Sequence, residues 1–272
     1  MREIGACRVL LFTPGNRPER FPKAAATGTD AVILDLEDAV SVHDKDKARE
    51  TLLDFFSKEK NPLFGIRVNH LHTPAGVRDL DALAASGVRP SFMVLPKVES
   101  ALEVQRYATL LKLPLVCTVE SARGLEAAVE IANADPLVQA LAFGGADLAV
   151  DLRAELAWEP MLWGRGRIVQ AAATAGISAI DVPHVVLDDE AGLRADAVRV
   201  KAMGFSAKLA IHPKQVGPIL EIFTPSSAEL ERATAIVAAY EKSGGNVVEY
   251  QGKMVEGPIV KSAQRLLALS RR

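Results

Sequence analysis

Eight short apolar runs, spread over most of the chain, constrain the fold more than any other feature. Each is rich in Val, Ile, Leu or Phe, which is the composition of strands buried on both faces of a parallel sheet. The intervals between runs leave room for the helical crossovers that parallel strands require, and residues 192–204 have apolar side chains at helical spacing. The runs occupy residues 9–12, 31–36, 64–68, 92–95, 114–119, 138–143, 178–182 and 207–211.

Eight strand and helix units in alternation predict an α/β chain folded as a (β/α)8 TIM barrel. An open doubly wound sheet is the alternative, but no Gly-x-Gly-x-x-Gly follows any run. The length of 272 residues and the 49% content of hydrophobic residues suit one such barrel, which usually takes about 250 residues. We predict a barrel catalytic domain over residues 1–222.

The remaining residues, 223–272, exceed what closing a barrel requires. Ser226 and Glu229 have the spacing of a capping box, which predicts a helix that ends at Gly244 and Gly245. A polar stretch at 246–253 then leads to a last helix with Pro258 in its first turn. We expect this extension to form a helical lid or an oligomerisation arm.

Charge and composition exclude several classes of partner. The net charge of −2 gives no basic surface for nucleic acid. No apolar run approaches the roughly 20 residues that span a bilayer, and the run near the N-terminus is too short for a signal peptide. Cys7 and Cys117 lie far apart and are expected to be free thiols of a reducing compartment, so the predicted location is the cytoplasm.

Polar residues follow each run, and in a barrel the carboxyl ends of the strands carry the active site. After the first run, a turn with Arg17 and Arg20 suits an anionic ligand. After the third, Arg67 and Asn69 are expected to share one face, and Arg is a two-pronged partner for a carboxylate. The ends of the second to eighth runs carry Asp35, Glu37 and Asp38; Arg67 and Asn69; Lys97 and Glu99; Glu120; Asp147; Asp181; and His212.

Glu120 and Asp147 end successive runs, so their strands stand side by side in a closed barrel. Two carboxylates with water and substrate oxygens are what Mg²⁺ accepts, which predicts Glu120 and Asp147 as metal ligands. Beside them, Gly144 and Gly145 allow close approach of the backbone, and the amides of Gly145 and Ala146 are candidate substrate-binding groups. The arrangement indicates a metal that chelates an oxo or hydroxy acid, whose carboxylate Arg67 holds.

At these positions the chain resembles the citrate lyase β-subunit-like group of the HpcH/HpaI aldolase superfamily. The resemblance runs from about Arg8 to the C-terminus and preserves the order of the motifs. They are Thr13-Pro14-Gly15-Asn16-Arg17, Leu34-Asp35-Leu36-Glu37-Asp38-Ala39-Val40, Arg67-Val68-Asn69, Leu95-Pro96-Lys97, Glu120-Ser121-Ala122-Arg123-Gly124, Phe143-Gly144-Gly145-Ala146-Asp147-Leu148 and Ile211-His212-Pro213.

The resemblance implies a barrel, usually a homotrimer, that uses Mg²⁺ to cleave or form a carbon–carbon bond between an acyl-coenzyme A enolate and a keto acid. It implies that Glu120 and Asp147 bind the metal and that Arg67 binds a carboxylate. Glu37 and Asp38 match the acidic pair near the metal waters, with Asp38 taken as catalytic. Arg17 matches the group on the coenzyme A or acyl-carrier side, and Lys97 lies in the same mouth.

In related malyl- and citramalyl-coenzyme A lyases, a neighbouring subunit places an acid over the site from its C-terminal segment. The matching stretch here is 252–258, which carries Glu256 where Asp is common. We expect Glu256 to be the acid or base. The chain also departs from the family after Asp151, where the usual glycine is missing, and at His70 and His72, which are not part of the pattern.

Three other functions stay open from the sequence. One is a pyruvate-type class II aldolase that acts on a free hydroxy-keto acid, and another is a β subunit that needs an acyl-carrier partner. The third is a barrel that binds a metabolite without turnover. Individual residues also have structural alternatives: Arg67 could pair with Asp35 or Glu37, and Cys117 is expected in the core. A zinc site at His70 and His72 lacks a third ligand.

Overall fold

The computed structural model describes residues 4–59, 61 and 64–270, and within them eight parallel strands form a closed barrel. Each strand pairs with the next, and the last pairs with the first. The predicted fold is confirmed, and every predicted strand lies within two residues of its observed bounds. The strands are β1 (Val9–Pro14), β2 (Ala31–Asp35), β3 (Phe64–Arg67), β4 (Met93–Leu95), β5 (Leu115–Val119), β6 (Val138–Phe143), β7 (Ser178–Asp181) and β8 (Ala207–Ala210).

Helices connect successive strands. Short 3-10 turns at Ile4–Ala6, Pro18–Arg20, Val42–Asp44 and Pro213–Gln215 accompany them. The helices are α1 (Phe21–Ala25), α2 (Lys45–Lys58), α3 (Pro74–Ser86), α4 (Ala101–Leu111), α5 (Ala122–Glu126), α6 (Ala128–Ala132), α7 (Gly145–Asp151), α8 (Trp158–Ala175), α9 (Glu190–Met203) and α10 (Val216–Phe223). The predicted helix at 192–204 is α9, which ends where Gly204 adopts the left-handed conformation at φ 109°.

The barrel interior is filled by alternate residues of the strands. On β2 these are Ala31 and Ile33, so the same alternation carries Asp35 to the inner side at the mouth. On β7 and β8 the interior residues include Ile180 and Leu209. Since neighbouring strand residues point to opposite faces, Asp181 faces outward, toward the helices.

The chain divides into two compact units, one up to residue 221 and one from residue 222. The second unit contains α11 (Ser227–Lys242), the antiparallel strands β9 (Val248–Tyr250) and β10 (Lys253–Val255), and α12 (Gly257–Ser270). Its core includes Ile236, Val255 and Val260. Ser226 and Glu229 form the predicted capping box. None of the helices in the described ranges is long and apolar enough to cross a bilayer.

The polar stretch that joins the two tail helices forms a hairpin, which the sequence did not predict. Each of its strands has only three residues, and Met254 is 61% exposed. Strands this short show too few alternations for a reliable pattern.

Candidate active site at the barrel mouth

Asp35 and Arg67 form a clamp at the mouth between β2 and β3. They are direct partners in the strand register, so their side chains lie on the same face. Nε and Nη2 of Arg67 donate to the two carboxylate oxygens of Asp35 at 2.7 and 2.6 Å. Phe12 covers the guanidinium, with Cζ of Arg67 4.5 Å from the ring centroid. Asp35 is fully buried, and it also accepts hydrogen bonds from the amides of Glu37 and Ala39.

This clamp changes how Arg67 can meet a substrate. The two-pronged Nε and Nη2 edge is occupied by Asp35, which is the structural alternative left open by the sequence. Burial opposes the charge of Arg67, but Asp35 and Glu37 outweigh it and raise the pKa of the guanidinium above its ordinary value. Arg67 therefore stays cationic, and carboxylate binding by its remaining Nη1 side stays a prediction.

Glu37 connects the clamp to the next strand end. Its Oε1 accepts a hydrogen bond from Nζ of Lys97 at 3.0 Å. Its Oε2 lies 3.1 Å from Nη1 of Arg67, in an ionic contact without good hydrogen-bond alignment. Burial raises the pKa of Glu37, against the opposing effect of Arg67. Asp38, predicted to be a catalytic residue, is 60% exposed and lies farther away, at 3.8 Å from Lys97 and 3.9 Å from Arg67.

Glu120 lies at the end of β5 with only 8% of its surface exposed. Its Oε1 accepts a hydrogen bond of 2.7 Å from the backbone amide of Lys97. Gly144 follows the neighbouring strand, β6, and a Cβ added there would clash with the Cβ of Glu120 and lie 2.6 Å from its Oε2. The glycine predicted to approach a ligand therefore makes room for this carboxyl group.

Asp147, on α7, completes the group. Its Oδ2 lies 3.4 Å from Nζ of Lys97, so Lys97 lies among the carboxyl groups of Glu37, Asp38 and Asp147. Lys97 itself has φ 52°, a left-handed conformation that is rare for residues other than glycine. Burial, Glu37 and Asp147 together raise the pKa of Glu120 to about 8.

These residues suit a divalent cation. Five acidic side chains face three basic ones, which leaves a formal excess of two negative charges; they are Asp35, Glu37, Asp38, Glu120 and Asp147 against Lys45, Arg67 and Lys97. Within the described part of the chain, no three His, Cys, Asp or Glu side chains form a ready-made metal cage. Mg²⁺ commonly takes one or two carboxylates and fills its other positions with water and substrate oxygens, as Glu120 and Asp147 would allow.

Asn69 and Asp181, also expected at the mouth, bind other protein groups. Asn69 lies beyond the end of β3, and its Nδ2 donates to Asp79 on α3 and to the carbonyl of Leu36. Because β3 ends at Arg67, strand alternation does not fix the direction of Asn69, and the expectation that it shares a face with Arg67 stays a prediction. Asp181 contacts Arg165 and Lys208 in the layer between strands and helices, fully buried.

The histidines have local roles in the loops. His70 Nε2 lies 2.8 Å from Oε1 of Glu103, a buried acid on α4, and its ring contacts His72 edge-to-face. The contact with Glu103 raises the pKa of His70. Nδ1 of His212 accepts a hydrogen bond from the amide of Lys214 and begins a 3-10 turn. Cys117 is fully buried, as expected for a core residue.

A cavity of about 350 Å³ opens between the ends of β1 and β8. Phe12, Arg20, Lys23 and His212 are among its lining residues. Phe12 belongs both to this lining and to the contact with Arg67, so the cavity adjoins the clamp. Arg17, predicted to face the coenzyme A side, is exposed on the same loop, with Nη1 3.9 Å from Glu19.

The other predicted site residues are placed as follows. Gly145 is buried and Ala146 exposed, both at the start of α7. Glu256 belongs to the second compact unit, between β10 and α12, where its carbonyl accepts the amides of Ile259 and Val260.

The sequence did not single out Phe12 or Lys45. Phe12 is an ordinary strand residue in the sequence, and only its contact with Arg67 distinguishes it. Lys45 lies eight residues after Glu37, beyond the strand end to which the motif was read, yet its ammonium donates to two carbonyls of the loop that holds Glu37. The sequence signal that could have identified Lys45 is the presence of a basic residue close to the acidic residues at 35–38.

The family profile described as HpcH/HpaI aldolase/citrate lyase matches residues 8–213, which span the whole mouth. The chain belongs to this family. The family resemblance seen in the sequence is thereby confirmed, as is the predicted enzyme class, a carbon–carbon lyase.

Individual relatives of this HpcH/HpaI chain are similar over nearly their full length. The citrate lyase subunit beta of Leuconostoc mesenteroides subsp. cremoris is 32% identical, over 97% of this chain and 93% of the relative. The L-malyl-CoA/beta-methylmalyl-CoA lyase of Rhodobacter capsulatus is 33% identical, over 94% and 92%. The structure of CitE from Mycobacterium tuberculosis in complex with magnesium, acetoacetate and coenzyme A has a TM-score of 0.86 and 34% identity, over 99% of this chain and 100% of that chain.

Proposed function

We propose that this HpcH/HpaI chain is a Mg²⁺-dependent lyase that cleaves or forms a hydroxyacyl-coenzyme A thioester such as citramalyl-, malyl- or citryl-coenzyme A. The products of cleavage are an acyl-coenzyme A and a keto acid. The observation that carries the proposal is the cluster of carboxyl groups around Glu120 and Asp147, set beside the cations Arg67 and Lys97. Such a mouth suits a divalent metal together with an anionic substrate.

In the cleavage direction, the substrate hydroxyl loses a proton and becomes the carbonyl of the keto acid. The electron pair of the broken carbon–carbon bond passes to the α carbon of the thioester, which then takes up a proton. Glu120 and Asp147 would hold Mg²⁺, which would supply the positive charge that stabilises the oxyanion. Lys97 and the Nη1 side of Arg67 add fixed positive charge beside these ligands.

The cavity between β1 and β8 supports a coenzyme A thioester rather than a free acid. Its Arg20 and Lys23 can attract phosphate groups. Phe12 lines the cavity and also contacts Arg67, so the cavity adjoins the clamp. The complex of the M. tuberculosis relative contains coenzyme A, acetoacetate and magnesium. A pyruvate-type aldolase acting on free acids would have no use for these cations.

We further propose that the protein is a homotrimer of the cytoplasm and that residues 223–272 serve as a lid or arm between subunits. Glu256 would then reach a neighbouring barrel and carry the proton to or from the α carbon. The similarity to citrate lyase subunit beta supports a second arrangement, in which an acyl-carrier partner delivers the substrate.

A screen of malyl-, citramalyl- and citryl-coenzyme A with Mg²⁺, followed by keto acid release, tests the function. We expect at least one thioester to be cleaved, and Asp147→Ala to abolish cleavage while the barrel stays folded. Asp188→Ala is the matched control, since Asp188 is an exposed acid on a loop after another strand of the same barrel. Cleavage of free hydroxy-keto acids without coenzyme A would instead favour the aldolase. Binding that stabilises the protein without product would favour a non-catalytic barrel.

A further inference from the structure

The loop after β2 carries Glu37 and Asp38, and side chains from outside the loop hold its backbone. Nζ of Lys45 donates to the carbonyl of Leu36 at 2.9 Å and to the carbonyl of Glu37 at 2.7 Å. Asn69 donates to the same Leu36 carbonyl at 2.9 Å. One ammonium group therefore fixes two successive peptide units next to the acidic pair.

We infer that Lys45 is a positioning residue of the active site, which holds the Leu36 and Glu37 peptides so that the Glu37 carboxylate bridges Arg67 and Lys97. The catalytic meaning of this inference rests on the proposed function. Its structural part concerns only the contacts of the loop.

The location of Lys45 argues against an incidental surface contact. Lys45 is the first residue of α2, and a cation at the N-terminus of a helix is electrostatically unfavourable. Burial lowers the pKa of its ammonium, although Asp35 and Glu37 act in the opposite direction. A lysine kept in such a place needs compensating partners, and the two carbonyls and the adjacent acids supply them.

Rotation of the Glu37 peptide would disturb both ends of the bridge. Oε1 of Glu37 is bound to Lys97 at 3.0 Å and Oε2 faces Arg67 at 3.1 Å, so a small change in backbone direction lengthens both contacts. Lys97 in turn faces Asp147 and donates its amide to Glu120, the two proposed metal ligands. Loss of Lys45 should therefore be felt at the metal site, although Lys45 touches neither ligand.

Three variants test the inference. Lys45→Met removes the ammonium, Lys45→Arg keeps a cation with N–H donors for both carbonyls, and Lys47→Met is the control on an exposed residue of the same helix. In Lys45→Met we expect faster hydrogen exchange at the amide of Val40, which donates to the carbonyl of Glu37. We also expect the Mg²⁺ Kd, measured by calorimetry, to rise about tenfold, as for other groups that act on ligands from a distance. Lys45→Arg should recover most of this loss, and Lys47→Met should match the wild type.

A double-mutant cycle with Glu37→Gln separates positioning from general stability. If Lys45 acts through Glu37, Lys45→Met weakens Mg²⁺ binding in the wild type but adds little in the Glu37→Gln background. Equal losses in both backgrounds, or unchanged exchange at Val40, would overturn the inference. These readouts need no substrate. A wild type that binds Mg²⁺ but cleaves no thioester would count against the proposed function alone and leave the cycle interpretable.

Discussion

Gly144→Ala is the sharpest perturbation of the proposed metal site, because it displaces one proposed ligand without changing the identity of any ligand. Gly144 follows β6 and lies beside the end of β5, where its amide donates to the carbonyl of Val119 at 3.0 Å. A Cβ at this position would clash with the Cβ of Glu120 and lie 2.6 Å from its Oε2, whereas ordinary contacts begin at 3.4 Å. Because the Cβ of Glu120 is hit as well as its carboxyl group, rotation of the side chain cannot relieve the crowding, and Glu120 must shift as a whole, its Oε2 by about 0.8 Å or more.

Mg²⁺ holds its oxygen ligands at about 2.0–2.1 Å in near-ideal octahedral geometry, so a displacement of this size removes Glu120 as a direct ligand. We expect the Mg²⁺ Kd to rise at least tenfold, which corresponds to about 1.4 kcal/mol. The same crowding should lower the free energy of unfolding by about 1–3 kcal/mol. Calorimetric titration with Mg²⁺ and thermal unfolding measure the two effects separately.

Gly166→Ala is the matched control. Gly166 lies in α8, and among the described residues no heavy atom other than those of its chain neighbours and its own helix backbone lies within 4 Å of a Cβ added there. Since Ala favours a helix over Gly by about 1 kcal/mol, this variant should be at least as stable as the wild type and bind Mg²⁺ equally well. A folded Gly144→Ala protein that binds Mg²⁺ within about twofold of the wild type would refute the reasoning, because twofold is only about 0.4 kcal/mol.

Three further predictions concern other parts of the chain. Arg67→Lys removes the two-pronged bond to a buried acid, so we expect a loss of about 1–3 kcal/mol in stability and a lower kcat; indistinguishable kinetics would make Arg67 purely structural. Because Glu103 raises the pKa of His70, the stabilisation by this pair is complete below about pH 6.5 and is lost as the pH rises through the raised pKa. The melting temperature, measured at a series of pH values, should fall over this range in the wild type, and His70→Gln should lack this fall. Glu256→Gln should bind substrate but turn over poorly, and mixing it with Asp147→Ala should restore activity if subunits share a site; no recovery after proven subunit exchange would reject sharing.

The barrel was predictable because each strand is a compact apolar run with polar residues at its end. The neighbours Asp35 and Arg67 follow from strand order, since successive strands pair in a closed barrel. The direction of a side chain at a strand end was harder to predict from the sequence. Asp181 and Asp35 both end apolar runs, yet one faces the helices and the other the mouth, and this depends on where alternation begins in each strand.

Contacts that link different loops also could not be predicted from the sequence. Whether Gly144 makes room for a ligand or for Glu120 depends on the stagger between β5 and β6, where the register shifts near Leu115. Lys45 is the first residue of α2. Its bond to the carbonyl of Glu37 requires the path of the intervening loop, which no periodicity encodes.

Lys97 contacts Glu120, Glu37 and Asp147, and these contacts account for its strained backbone. A left-handed conformation costs a residue other than glycine about 1–2 kcal/mol, so glycine would be the easier choice at φ 52°. Glycine could still donate its amide to Glu120, but it would have no ammonium to place between Glu37 and Asp147. The strain is therefore the cost of serving one carboxyl group with the backbone and two others with the side chain. This double role ties the Arg67 clamp to the proposed metal ligands, so a change on either side is transmitted through Lys97.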